Sequence, residues 1–414
     1  MNKKVIVIGG GVIGLCTAYY LHKEGHQVIV IDKSDFSSGA SYVNAGYITP
    51  SHIIPLAAPG IINKGLKWMF NSASPFYVKP RFDIDFFKWS LAFRKSATQK
   101  KVQKAMPIIK DINILSRELY ADMHKSNDFQ FDYDHKGLLM LYKTDKAGEE
   151  EWAVGQEAIK LGLKVENLTF TELNKIDEKA QFNCKGGVYF HSDGHMTPNN
   201  FMLELKVYLE SNGVEIVANE EVIDVDLNED KINIITTRNK AYKADEFVLA
   251  TGAWSQNFAK KLDINIPIQA GKGYSINVSR ETNISIPAIL CEAKVAVTPM
   301  HGFTRFAGTM ELGGINQKIN PTRVNAIAKA AENYYDIDVN ASEKSKAKCG
   351  LRPCSPDGLP FIGKSKKCKN LTFATGHAMM GWSLGPATGK LISEIISENK
   401  TSLNLSSFSV DRFS

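Results

Sequence analysis

Six residues near the N-terminus restrict this chain more than any other feature: Gly9-Gly10-Gly11-Val12-Ile13-Gly14. Before them, Lys4 to Ile8 is a β-branched run suited to a strand buried on both faces. After them, Val12 to Gly25 has helical spacing in which Ile13, Ala18 and Leu21 share a face, and Val28 to Ile31 is a second buried strand. Strand, glycine turn, helix and strand make a βαβ unit. In G-x-G-x-x-G, Gly9 permits the tight turn, Gly11 lets backbone approach a pyrophosphate, and Gly14 lets helix and strand pack closely. Phosphates at such a turn meet the positive end of the helix. Asp32, directly after the second strand, is placed to accept a hydrogen bond from a ribose hydroxyl, and its charge would repel a 2′-phosphate. A dinucleotide other than NADP is expected.

Three later segments return to that nucleotide and favour FAD over NAD. Ser41 and Asn44-Ala45-Gly46 form a polar, small-residue loop able to follow an extended pyrophosphate. Phe247 to Gly252, with Ala253-Trp254, is a strand that ends in small residues at Thr251 and Gly252. Gly376-His377-Ala378-Met379-Met380-Gly381-Trp382 precedes a helix whose amides suit the negative edge of a reduced flavin. A nicotinamide enzyme needs none of these returns.

A chain of 414 residues exceeds one ordinary core, and 43% hydrophobic with 23% charged residues is soluble globular composition. The nucleotide pieces stand at the start, middle and end, so a second domain is inserted between them. The expected division is 1–80, 190–265 and 345–414 for the FAD-binding domain, and 81–189 with 266–344 for the substrate domain. Pro55 to Lys104 reads as irregular. A helix is expected from Pro198 to Gly213 with Thr197 as N-cap. Strands Val214 to Val217, Glu221 to Asp226 and Ile232 to Thr237 read as a meander, Ile268 to Gly314 as an alternating β region, and Pro386 to Ser397 as a closing helix.

A net charge of +6 is modest for this length and gives no reason to expect nucleic acid. Lys64 to Lys104 nevertheless holds ten Lys/Arg against two acids, interleaved with Trp68, Phe70, Phe76, Tyr77, Phe86, Phe87 and Trp89. No nucleic-acid recognition motif accompanies it. Such a segment is either a solvated basic face or a peripheral contact with an anionic membrane. No apolar stretch reaches the roughly 18 residues of a spanning helix. The N-terminal apolar run carries glycines and no cleavage site, unlike a signal peptide. Six cysteines without a CxxC pair read as reduced thiols, including Cys349 and Cys354, so the expected setting is cytoplasmic with no metal site.

Gly9 to Gly14, Asp32, Ser41 to Gly46, Ala250 to Trp254, Gly350-Leu351-Arg352-Pro353 and Gly376-His377 together resemble the D-amino-acid oxidase and glycine oxidase superfamily. Ala57-Ala58-Pro59-Gly60, Lys67-Trp68-Met69-Phe70, Lys272-Gly273-Tyr274-Ser275, Ser355-Pro356-Asp357-Gly358 and Gly381-Trp382 are closer still to the bacterial D-amino-acid dehydrogenase small subunit. The resemblance covers nearly the whole chain. It implies an α/β fold: a glutathione-reductase-type, Rossmann-like FAD-binding domain interleaved with an α+β substrate domain on a mixed antiparallel sheet. It adds Lys33, Val222 and Gly350 to the cofactor shell. It implies deamination of D-amino acids to 2-oxo acids and ammonia, hydride passing from Cα to flavin N5 and electrons on to a quinone or other acceptor.

Arg352 is the expected carboxylate partner, held between Gly350 and Pro353 in a short turn, because a planar guanidinium binds carboxylate through two bonds where lysine cannot. Tyr274 either caps that carboxylate or packs in the core, and His377 is cofactor-adjacent. Glycine oxidase has a second arginine where Met379 stands, which implies a more apolar pocket here. Cyclic imino acids such as D-proline or cis-4-hydroxy-D-proline, oxygen as acceptor, and a flavin-holding subunit without turnover are the competing readings.

Overall fold

The computed structural model describes residues 2–60 and 74–413. Lys67 to Phe70, and with them the start of the basic segment, lie outside the described residues.

The β-branched runs collect into one six-stranded sheet ordered Glu215–Val217, Gln27–Ile31, Lys4–Ile8, Glu246–Leu249, Leu371–Thr375, Phe361–Lys364. Neighbours are parallel except the last pair, which is antiparallel. Alternate side chains serve two cores. Val5 and Val7 pack with Leu15, Leu391 and Ile392, while Ile6 and Ile8 pack with Phe247, Leu249, Ile235 and Leu262. Each such burial contributes about 1.5–3 kcal/mol relative to exposure, which is why both faces need apolar residues.

Helix Val12–Lys23 is buried nearly all round, at Leu15, Cys16, Thr17, Ala18, Tyr19 and Leu21, rather than on the one face its spacing suggests. The reason is a second helix, Gly385–Ile396, laid against it. A Cβ on Gly389 would stand 2.5 Å from the Cys16 carbonyl oxygen, so only glycine allows that approach. The nucleotide turn is as tight. Gly9 has φ +112°, and a Cβ on Gly14 would stand 1.8 Å from the Gly9 oxygen.

The second large sheet has nine strands. Its order is Lys348–Cys354, Gln269–Val278, Phe303–Leu312, Val295–Met300, Ala288–Leu290, Leu138–Tyr142, Gly186–Phe190, Val165–Thr169, with Phe76–Val78 beside Phe303–Leu312. Two contacts are parallel, Ala288–Leu290 with Leu138–Tyr142 and Phe76–Val78 with Phe303–Leu312; the others are antiparallel. Helix Pro321–Tyr334 closes one face through Val324, Ile327 and Ala331. This is the expected α/β architecture with a mixed, largely antiparallel second sheet.

Several local readings change. Residues within Pro55 to Lys104 are not irregular throughout: helix Ile84–Ser96 starts at Asp83, whose side chain accepts from Phe86 N, and helix Gln99–Lys125 follows. The aromatic density there hid an amphipathic period. Glu215–Val217 leaves the meander for the edge of the six-stranded sheet, and the meander itself is Asp224–Asn228, Lys231–Thr236 and Ala241–Tyr242. Helix Pro198–Ser211 forms as expected, but Thr197 makes no side-chain cap bond; its hydroxyl accepts from His301 N instead. Strand Lys348–Cys354 belongs to the larger sheet, although a boundary at 345 gives it to the nucleotide half. Among the described residues no helix is long and apolar enough to cross a membrane.

All six cysteines are free. Cys349 and Cys354 share one extended strand, about 16 Å apart at roughly 3.3 Å per residue, beyond the reach of a disulfide.

Substituting valine at Gly389 is expected to force the two helices apart and to destabilise the fold by about 1–3 kcal/mol or more, read as a lower midpoint in chemical unfolding; an unchanged midpoint would contradict this packing.

Candidate active site

A single cavity of about 900 Å³ runs along the glycine turn and under the larger sheet. Gly9, Gly11, Val12, Ile13, Asp32, Lys33, Ser41, Asn44 and Ala45 line it, as do Val222, Thr251, Gly252, Trp254, Tyr274, Gly350, Arg352, His377, Gly381 and Trp382. Gly14, Gly46 and Gly376 stand just behind the wall. Gly14 seats the helix on the turn, a Cβ on Gly46 would lie 2.1 Å from the Met196 oxygen, and Gly376 turns its loop at φ +78°.

At the glycine turn, Asp32 Oδ2 accepts from Gly10 N at 2.6 Å, and Oδ1 accepts from Ser34 N at 2.7 Å and Ser34 Oγ at 2.6 Å. An ionised carboxylate has about four acceptor positions, so one remains for a ribose hydroxyl. Ser41 Oγ accepts from Val12 N at 3.0 Å and ties the next loop to the helix start. Lys33 Nζ lies 3.5 Å from the centroid of the Trp254 ring, a cation–π pair, and burial lowers the lysine pKa.

Loop 42–46 is held by residues that carry no motif. Arg305 is 4% exposed; its Nη1 donates to Tyr42 O at 3.1 Å and Asn44 O at 2.6 Å, and Thr298 Oγ1 donates to Ala45 O at 2.7 Å.

Arg352 is not in a turn. It sits in strand Lys348–Cys354, opposite Gly271 in the antiparallel register with Gln269–Val278. The turn expected from flanking Gly350 and Pro353 is overridden by the sheet ladder. The guanidinium lies across Gly273, where a Cβ would come 2.3 Å from Nη1. Nη1 donates to Thr309 O at 2.7 Å. Thr309 holds φ +63°, and its buried Oγ1 has no partner among the described residues. No carboxylate of the described residues pairs with Arg352, and burial lowers its pKa. A half-buried cation on a cavity wall, with no carboxylate partner among the described residues, calls for an anionic ligand.

Tyr274 is 2% exposed, and its hydroxyl donates to Glu311 Oε2 at 2.7 Å; burial first, then that carboxylate, raise its pKa. Its ring reaches the cavity while its hydroxyl is already engaged. His377 Nε2 is 2.9 Å from Thr388 Oγ1, and burial lowers its pKa to about 3, so it is a neutral loop anchor. Met379 is 49% exposed at the cavity edge. Trp382 Nε1 is buried without a partner among the described residues. Sequence reasoning missed Arg305, Thr309 and the Ser51, His52 and Asp193 group described below, since single polar residues inside apolar strands announce no period or spacing.

The lining fits FAD. The turn at Gly9 to Gly14 leaves no side chain between backbone and a pyrophosphate, Asp32 keeps an acceptor free, and the cavity continues to Trp382 with its unmet donor.

Residues 4–395 match the family described as FAD dependent oxidoreductase. Among curated proteins, D-amino acid dehydrogenase from Helicobacter pylori is 31% identical over 407 residues, covering 98% of this chain and 97% of the relative. D-amino acid dehydrogenase from Vibrio atlanticus (strain LGP32) is 32% identical over 425 residues, covering 99% and 100%. Among solved structures, glycine oxidase from Geobacillus kaustophilus superposes with a TM-score of 0.78 at 19% identity over 99% of both chains. L-proline dehydrogenase from P. horikoshii gives 0.75 at 18% identity over 100% of this chain and 98% of that one. These two likenesses concern the fold. With the glycine turn, the cavity and the family match over nearly its full length, the chain belongs to the FAD-dependent oxidoreductases of the D-amino-acid oxidase type.

Proposed function

We propose that this protein is a D-amino-acid dehydrogenase, converting D-amino acids to 2-oxo acids and ammonia and passing the electrons to a quinone or other acceptor. The observation that carries it is Arg352, a half-buried guanidinium on the cavity wall with no carboxylate partner among the described residues. An α-amino acid brings the missing anion. Two parallel N–H···O bonds would fix the substrate's carboxylate plane, and the Thr309 carbonyl, by engaging Nη1, fixes the plane of the guanidinium first. Gly273 keeps that approach clear. Bound FAD supplies the acceptor for the hydride leaving Cα. The protein's own residues orient the substrate, and the apolar lining from Met310, Met379 and Leu56 keeps water from it. The imino acid then hydrolyses to the 2-oxo acid.

In this reading Asp32, Lys33, Val222 and Trp254 hold the adenosine part, the Gly9 to Gly14 turn the pyrophosphate, and Gly350 with the Gly376 to Trp382 loop the flavin. The interleaved division into 1–80, 190–265, 345–414 and 81–189, 266–344 is proposed on the same basis.

The surface supports a membrane contact. Helix Ile84–Ser96 turns Trp89 inward and presents Ile84 at 73%, Phe87 at 56% and Leu91 at 60% exposure, next to a fully exposed Phe82. Lys88, Arg94 and Lys95 flank them, and Lys100, Lys101 and Lys104 follow on the next helix, all exposed. Apolar groups ringed by cations match an anionic bilayer face, and the proposed setting is therefore the cytoplasmic side of the cell membrane.

Anaerobic addition of D-alanine should bleach the yellow holoprotein; D-proline, cis-4-hydroxy-D-proline and glycine in parallel assign the substrate, and persistence of colour with every one refutes the activity. Under air, peroxide released in step with turnover would make it an oxidase. Arg352→Ala should lose about 2–5 kcal/mol in kcat/KM while retaining FAD, and Arg352→Lys should recover only part; a wild-type value for either removes the proposed carboxylate site. Vesicles of phosphatidylglycerol should sediment the wild-type protein at low salt but not the Phe87→Ser/Leu91→Ser double variant. Equal recovery of both in the supernatant excludes the lipid face.

A further inference from the structure

We infer that Asp193, Ser51 and His52 form a proton relay opening on the substrate cavity, with His52 Nε2 as its mouth. The inference rests on the amino-acid oxidation proposed above and adds a route for the proton that oxidation must release. Strand pairing assembles the group: Tyr47–Ile48 pairs antiparallel with Gly194–Met196, Ile48 opposite Gly194, which brings the residues just past Ile48 against Asp193. His52 N donates to Thr49 O at 3.1 Å, turning the chain so that His52 joins the cavity lining.

With Asp193 ionised, hydrogen-bond direction is fixed by counting protons. Asp193 is fully buried; Oδ1 accepts from Ser51 N at 3.1 Å and Ser192 Oγ at 2.9 Å, and Oδ2 accepts from Ser51 Oγ. Ser51 Oγ has one proton, and it goes to Asp193. Towards His52 Nδ1, 3.2 Å away, Oγ can therefore only accept, so Nδ1 carries the hydrogen. Nε2 is left with its lone pair and has no partner among the described residues.

A D-amino acid arrives as an ammonium ion and must lose one proton before its lone pair can assist loss of the Cα hydride. One N–H bond of the ammonium breaks and an N–H bond forms at Nε2. Nδ1 gives its proton to Ser51 Oγ, and Ser51 Oγ gives its own to Asp193 Oδ2. Three bonds break and three form, no electrons change owner, and the imidazole ends neutral in its other tautomer. The proton comes to rest on the carboxyl. That ordering agrees with the surroundings. Burial first, then Lys294, push His52 down to about 4, whereas burial raises Asp193 to about 7. Lys294, paired with Glu151 at 3.0 Å, faces His52; Arg117 and Tyr133 face Asp193. Because Asp193 must be ionised to accept, amine deprotonation should quicken as pH rises through about 7.

Two measurements on the FAD-loaded protein decide it. Nitrogen-15 spectra of the histidine rings should show His52 neutral with hydrogen on Nδ1 at about pH 9, where Asp193 is ionised, and Ser51→Ala should abolish that preference. Stopped-flow anaerobic reduction by D-alanine should slow about 100-fold in His52→Gln, with partial rescue by added imidazole. Asp193→Asn should flatten the pH dependence near neutrality while leaving KM unchanged. A proton on Nε2 in the wild type, or a His52→Gln protein with the wild-type rate and pH profile, overturns the relay. If no D-amino acid reduces the wild-type flavin, the proposed function fails separately, and the tautomer still decides whether the relay is wired as inferred.

Discussion

One backbone hydrogen bond ties together the two parts of the proposed site. Ala378 N donates to Pro353 O at 2.8 Å, beside an antiparallel bridge between Cys354 and His377. The Gly376 to Trp382 loop follows the six-stranded sheet, while Arg352 belongs to the nine-stranded one. The two ladders meet here, as they do where Arg305 and Thr298 hold loop 42–46. The contact is well supported: His377 is anchored on Thr388, and Trp89 Nε1 donates to Cys354 O at 2.8 Å from the other side. If Arg352 positions the substrate as proposed, a displacement of about one ångström between the sheets would be enough to change the rate.

The charge pattern beneath Arg352 has the same economy. Glu311, on the strand Phe303–Leu312, is engaged by Lys272 at 3.2 Å, Arg323 at 3.5 Å and the Tyr274 hydroxyl. Two buried cations against one carboxylate leave the cluster positive. Such a network contributes little to stability once desolvation is subtracted. Arg352 stands apart from it with no carboxylate partner among the described residues, so an incoming carboxylate is the anion it lacks. Tyr274 takes part through Glu311, although its position in the strand also suited direct contact with a ligand.

The nucleotide half was legible in the sequence because its constraints are local. Gly9, Gly14 and Asp32 belong to one continuous βαβ unit, and the β-branched strands advertise burial on both faces. Arg352 was legible as a residue but not as a conformation: Gly350 and Pro353 suggest a turn, and only the distant partner strand Gln269–Val278 makes the segment extended. Val214 to Val217 and Glu221 to Asp226 share turn-rich sequence, yet parallel pairing with Gln27–Ile31 sends the first to another sheet. Arg305, Thr309 and Asp193 were invisible for the same reason. Their roles arise from contacts spanning tens to hundreds of positions, such as Arg305 with Asn44 and Ser51 with Asp193, which no local period encodes.

Helix Ile84–Ser96 links the proposed lipid face to the site. Its outer side carries Phe87 and Leu91, and its inner side carries Trp89, stacked between Phe86 and Phe93 and bonded to the carbonyl of Cys354. Cys354 ends the strand that holds Arg352. A rotation of this helix large enough to bury Phe87 and Leu91 in lipid would either pull on the Cys354 carbonyl or break the Trp89 bond. The stacked aromatics resist the second course, since each offset pair adds about 0.5–1.5 kcal/mol beyond burial. A rigid helix that docked without turning would satisfy both faces at once, and the register of Arg352 would be preserved while the proposed lipid face met a bilayer.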